Sequence, residues 1–142
     1  MSRRKARVLA FQALYCFDVS GTPLETLLEF DWEADKLERI DSGVLDFARN
    51  LAAGTIENLD EIDAKIKLHL RNWDFSRLKK VDLAILRTSL YSLLYQKESA
   101  GIVIEEAICI CKEYGASGSL KFINAVLDNI NKETVKPNVI KN

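Results

Sequence analysis

Residues 78–94 read LKKVDLAILRTSLYSLL, and this stretch decides the fold. Apolar side chains fall at Leu78, Val81, Ile85 and Leu86, then at Leu90, Leu93 and Leu94. Spacings of three and four are the period of an α-helix, not the alternation of a strand. The apolar face is broad, so this helix is predicted to be central and covered on most sides. With Ser76 as its cap it spans about Arg77 to Gln96.

The same period extends in both directions, and strand patterns are scarce, so the expected fold class is all-α. A first helix is predicted from about Arg3 to Val19, stopped by Gly21-Thr22-Pro23. A shorter one follows from Leu24 to about Trp32, with Pro23 in its first turn. Asp41-Ser42 reads as a cap for a long helix toward Leu70, with Val44, Phe47, Leu51, Ile62 and Ile66 on its buried stripe. Gly54 inside it costs about 1 kcal/mol against alanine and points to a close helix crossing or a bend. Downstream, Gly101 is predicted to break the chain. A further helix covers about Ile104 to Tyr114, with Gly115 just past its end. The last runs from about Ser119 to Lys132, and the tail beyond Glu133 is expected to fray. The 142 residues fit one domain.

Charge is unevenly placed. Net charge is -1. Residues 1–17 hold four basic residues (Arg3, Arg4, Lys5, Arg7) and no acidic one; residues 18–63 hold three basic and thirteen acidic; residues 64–142 hold thirteen basic and eight acidic. A basic cluster on a near-neutral chain marks an anion-binding surface, and Tyr15 further along the same helix suits an unstacked base. Nucleic acid is the first hypothesis, a solvated basic tail the plainer one. If the two basic flanks converge they make one face, with the acidic middle turned elsewhere.

Other classes find little support. No apolar run of about 18 residues predicts a membrane span, and no secretory signal is legible, so a cytoplasmic protein is expected. Cys16, Cys109 and Cys111 form no disulfide-like pattern. Cys109 and Cys111 point about 200° apart on a helix and cannot jointly grip zinc. The one histidine, His69, completes no metal set, and no GxxxxGK[ST] phosphate loop occurs. Glu105-Glu106 suit a first helical turn, and Asp60-Glu61-Asp63 a solvated helix face. No catalytic constellation, cofactor or metal site emerges.

Three segments of the C-terminal third closely resemble the signature of the transcription antitermination factor NusB family. They are Ile104-Glu105-Glu106-Ala107-Ile108, Lys112-Glu113-Tyr114-Gly115 and Lys121-Phe122-Ile123-Asn124-Ala125-Val126-Leu127-Asp128. Arg3-Arg4-Lys5-Ala6-Arg7, Gln12-Ala13-Leu14-Tyr15, Val81 through Arg87 and Tyr91-Ser92-Leu93 resemble further family segments, in order, over nearly the whole chain.

The resemblance implies six to seven helices in two small bundles packed across each other, and a non-enzymatic protein. It implies binding to boxA-type single-stranded RNA together with NusE, a small-subunit ribosomal protein. The pair would join RNA polymerase and other Nus factors to suppress termination in ribosomal RNA operons. By position, Arg3, Arg4, Lys5 and Arg7 would hold phosphates, and Lys121 would add a contact. Tyr15 and Phe122 match aromatics of the RNA face, and Asp82 matches an acid near the NusE surface. Two positions depart from the family pattern: Gly118, where relatives often carry an acid, and Asn124-Ala125 in place of Asn-Gly. Two alternatives are an RNA-binding domain of a ribosomal RNA methyltransferase, for which no cofactor loop is present, and a homodimer or adaptor using the basic helix.

Overall fold

The computed structural model describes the main chain of residues 3–70 and 74–140, and the side chains of these up to Glu133. Its seven α-helices are α1 (Arg3–Ser20), α2 (Leu24–Leu27), α3 (Ser42–Glu57), α4 (Leu59–Leu68), α5 (Lys80–Leu94), α6 (Ala100–Tyr114) and α7 (Ser119–Ile140). Two 3₁₀ segments, Asp31–Arg39 and Phe75–Arg77, lie between them, and no strand occurs among the described residues. None of these helices is long and apolar enough to cross a membrane.

As expected, α5 is central. Ten of the eleven residues from Asp82 to Ser92 are buried, all but Tyr91. Leu83, Ile85, Leu86 and Leu90 meet Leu14 of α1, Leu51 of α3, Ile62 and Ile66 of α4, and Ile123 and Leu127 of α7 in one cluster. A smaller cluster joins Ala6 and Leu9 of α1 to Phe30, Val44 and Ala48. The first helix therefore serves both cores, and removing any of these leucines would cost about 2–5 kcal/mol. Gly54 marks the α3–α5 crossing: a Cβ there would run into the ring of Tyr91.

Several predicted boundaries move. The expected helix over residues 42–70 is two helices, broken at Asn58 (φ -115°, ψ 24°). The Asn58 amide donates to the Gly54 carbonyl at 2.8 Å, competing with the helical ladder. The apolar spacing does not register this break because α3 and α4 face the same core. Ser76 does not cap α5; Asp74 caps the short 3₁₀ turn by accepting from Ser76 N at 3.0 Å, and extended Lys79 precedes α5. Gly101 lies inside α6, and the chain turns instead at left-handed Lys97 (φ 55°). Gly115 caps α6 with φ -83°, not a left-handed conformation; a Cβ there would lie 2.7 Å from the Cys111 carbonyl oxygen. The helix expected over 24–32 is one turn, after which Phe30 adopts φ 51°.

Polar ties fix the helices. Arg87, buried on α5, donates to both oxygens of Asp63 at 2.9 and 2.8 Å. Lys80 pairs with Asp18 of α1 at 3.3 Å. His69, at the end of α4, contacts the Lys65 carbonyl at 2.9 Å and Glu133 of α7 at 2.8 Å, a capping and bridging role. Cys111 is buried, Cys16 and Cys109 are half-buried, and all three are free.

Candidate nucleic-acid interface

The start of α1 has no acid in its own sequence, so its cations find acids from other helices. Arg4 donates from Nε and Nη2 to the two oxygens of Glu106 at 3.1 and 2.8 Å. Arg3 reaches Glu98 at 3.3 Å and lies 4.7 Å from the centre of the Phe47 ring. Lys5 pairs with Glu33 at 3.2 Å. Arg7 is buried; it donates to Ser92 Oγ at 3.0 Å and reaches Glu98 at 3.4 Å.

The protonation preferences follow from these partners. The hydrogen bond from Arg4 holds the Glu106 carboxyl below the usual carboxylate range and pushes the Arg4 guanidinium further up. Burial lowers Arg7, and Glu98 opposes that. Arg7 is thus placed to hold α1 against the end of α5, away from solvent. Arg3, Arg4 and Lys5 keep part of their side chains in water, at 62%, 54% and 35% exposure. Five N–H groups let one guanidinium hold a carboxylate and still meet a phosphate.

The expected separation of charge does not occur. Glu33, Asp18 and Asp63 of the acidic middle lie against Lys5, Lys80 and Arg87 of the basic flanks. Helix packing pairs opposite segments, so segment totals do not describe the surface.

Tyr15 lines a cleft of about 270 Å³ with Phe11, Gln12, Cys16, Trp32, Val81 and Tyr114. Arg4, Phe11 and Tyr15 are spaced at i, i+7 and i+11 and share one stripe of α1. The Tyr114 ring tilts against Phe11 at 5.3 Å, and burial with the neighbouring Glu113 pushes its phenol up.

Phe122 lines a second cleft, of about 170 Å³, with Arg77, Leu78, Lys79, Asp82, Ser117, Gly118 and Ser119. Asp82, which the resemblance sets near a NusE surface, is itself buried and lines this cleft. Its Oδ2 accepts from Ser119 Oγ at 3.0 Å, tying α5 to the start of α7. Its Oδ1 is buried with no hydrogen-bond partner among the described residues. Gly118 sits at φ 91°, where a side chain is strained, which accounts for glycine in place of an acid. Ala125 is exposed on α7 and disturbs no packing. Lys121 is exposed on α7 beside Phe122. Arg77, Lys79 and Lys121 form no ion pair among the described residues.

Both clefts reach the first turn of α5: Val81 lines one and Asp82, the next residue, lines the other. Tyr15 and Phe122, more than 100 residues apart in sequence, thus line clefts that flank the same helix turn. No group of His, Cys, Asp or Glu that could hold a metal ion occurs among the described residues.

The NusB family model matches residues 4–132, which include every candidate residue except Arg3. The chain belongs to the NusB family. The transcription antitermination protein NusB of Treponema denticola is 47% identical over 135 residues, covering 94% of this chain and 98% of that one. That of Borreliella burgdorferi is 40% identical over 131 residues, covering 90% and 92%. Among solved structures, T. maritima NusB superposes with TM-score 0.81 at 34% identity, covering 94% and 92%. A crystal structure of antitermination factors NusB and NusE in complex with dsRNA gives TM-score 0.82 at 28% identity, covering 92% and 96%.

On this NusB-family scaffold, sequence reasoning missed Gln12, Trp32, Arg77, Lys79 and Tyr114 as cleft residues. Lys79-Lys80, adjacent cations at the start of the central helix, were a legible signal. Trp32 carried none, because it was placed in a helix that does not form.

Proposed function

We propose that this chain is an antitermination factor that binds boxA-type single-stranded RNA as a heterodimer with NusE, acting with RNA polymerase and other Nus factors on ribosomal RNA operons. The observation that carries the reading is the pair of clefts that both reach the first turn of α5, one through Val81 and the other through Asp82. Each offers a partly exposed ring, Tyr15 or Phe122, and cations surround the second. Each cleft is small enough for a single ring, which suits splayed bases better than a duplex, whose bases are stacked away. Arg3, Arg4, Lys5 and Lys121 would contact phosphates; Arg7 would act by holding α1 in place. NusE would approach the start of α5 beside Asp82, leaving the Phe122 cleft itself to the RNA. The fold similarity to a NusB–NusE–RNA complex supports both partners.

The test is a salt series of binding to a boxA-like oligonucleotide, with and without NusE. Weak binding alone, tighter binding with NusE and a steep loss with salt are expected. Equal affinity for a scrambled RNA under both conditions would defeat the sequence-specific reading.

A further inference from the structure

The Tyr15 cleft contains more than one ring requires. Tyr15, Trp32 and Tyr114 are 36%, 39% and 38% exposed, which is high for three large aromatics lining one depression. Trp32 is held firmly. Its Nε1–H donates to Gln12 Oε1 at 2.8 Å, and its ring stands edge-on to Phe30 at 5.6 Å and 88°. Phe30 is fully buried and holds a left-handed backbone, φ 51°, which is costly for a bulky residue. That strained turn starts the segment that carries Trp32 to the cleft. A strained backbone, a neutral hydrogen bond and an edge-to-face contact thus all fix one half-exposed indole.

We propose that Trp32, with Gln12 and Tyr114, makes the Tyr15 cleft a base-selective subsite, in which an unstacked RNA base lies against Trp32 and the tyrosines. The inference rests on the RNA-binding reading above, which uses Tyr15 alone of this cleft, and adds Trp32, Gln12 and Tyr114 to it. Three features favour a base over a protein side chain. Flat π-faces from three elements suit stacking. Gln12 spends its carbonyl on Trp32 and forms no other bond among the described residues, so its amide N–H groups remain for acceptors on a base edge. Arg4, with N–H groups to spare, lies on the same stripe of α1 about 10 Å along the axis from Phe11, where a flanking phosphate can reach it.

The experiment uses the full chain with Trp73→Phe, which leaves Trp32 as its only tryptophan. RNA binding is followed by anisotropy and Trp32 emission in one titration with a boxA-like oligonucleotide. Emission should quench with the same midpoint as anisotropy. Trp32→Ala should weaken binding about 5- to 100-fold, the range of one stacked base. Trp32→Phe should retain most of the affinity, with circular dichroism verifying the fold of both. An abasic nucleotide at one position should abolish the difference between wild type and Trp32→Ala. Gln12→Leu should reduce discrimination at that same nucleotide. If the oligonucleotide binds while Trp32 emission and the Trp32→Ala affinity are unchanged, the subsite is wrong and the RNA-binding reading stands. If no RNA binds, both fall. If NusE alone quenches Trp32 and RNA adds nothing, the cleft takes protein and the proposal is overturned.

Discussion

At the start of α1, Arg3, Arg4, Lys5 and Arg7 each meet a carboxylate; around the Phe122 cleft, Arg77, Lys79 and Lys121 meet none among the described residues. The first group is the denser cluster in sequence and the second is scattered over 45 positions. Folding reverses their prominence. Cations that are adjacent in sequence on a helix point in different directions, and here each finds an acid from the α5–α6 connection, α6 or the Asp31–Arg39 segment. Cations at the start of α5 and α7 lie beside a turn of small neutral residues, Ser117-Gly118-Ser119, and stay available. Net charge along a chain therefore locates a binding surface less well than the count of cations left unpaired after packing.

The comparison breaks first at Arg7. Arg7→Met should destabilise the protein by about 2–4 kcal/mol in urea unfolding, because a buried, hydrogen-bonded cation tying α1 to α5 is lost. A fully stable variant that loses only RNA affinity would place Arg7 with the accessible cations instead. On the other side, Gly118→Asp should cost about 1–2 kcal/mol, from a side chain at positive φ. It should also weaken RNA binding by adding an acid among free cations, whereas Gly118→Asn should show the strain alone.

Smaller effects sharpen the contrast. Lys79→Ala, Arg77→Ala and Lys121→Ala should each reduce the slope of log affinity against log salt by about 0.7, the single-strand value per phosphate, with unfolding unchanged. Arg3→Ala, Arg4→Ala and Lys5→Ala should each change it less, since each already shares its charge with an acid. Smallest is a pH effect at Glu106. Its folded pKa is depressed, so its contribution to stability is present above the ordinary glutamate value of 4.5 and is lost as pH falls through the lower folded value. Glu106→Gln should therefore lower stability modestly at neutral pH and flatten the acid limb below about pH 4.5, so that the two stability curves converge at low pH. An unchanged acid limb would remove the Arg4–Glu106 contact from the account.

Much of the fold was legible because burial follows the helical period. The breadth of the α5 apolar face announced its central position, and Gly54 announced the crossing that Tyr91 completes. Breaks were less legible. Asn58 interrupts a pattern whose two halves face the same core, and Lys97 turns left-handed with no glycine to mark it. At the site, resemblance picked out Tyr15 and Phe122, and folding brought both of their clefts to the first turn of α5. Trp32 was hidden by a mistaken helix, and the burial of Arg7 and Asp82 was hidden because single charged residues carry no sign of what packs over them.

The central claim is that the two clefts that reach the first turn of α5 form one RNA surface. Photocrosslinking a 4-thiouridine-substituted boxA-like RNA to the chain with NusE, with the attached residues mapped by mass spectrometry, tests it most directly. Crosslinks are predicted at the Tyr15–Trp32 cleft and the Phe122 cleft, from different nucleotides of one strand. Crosslinks confined to the acidic α3–α4 corner around Glu57–Glu61, with both clefts unlabelled, would contradict it.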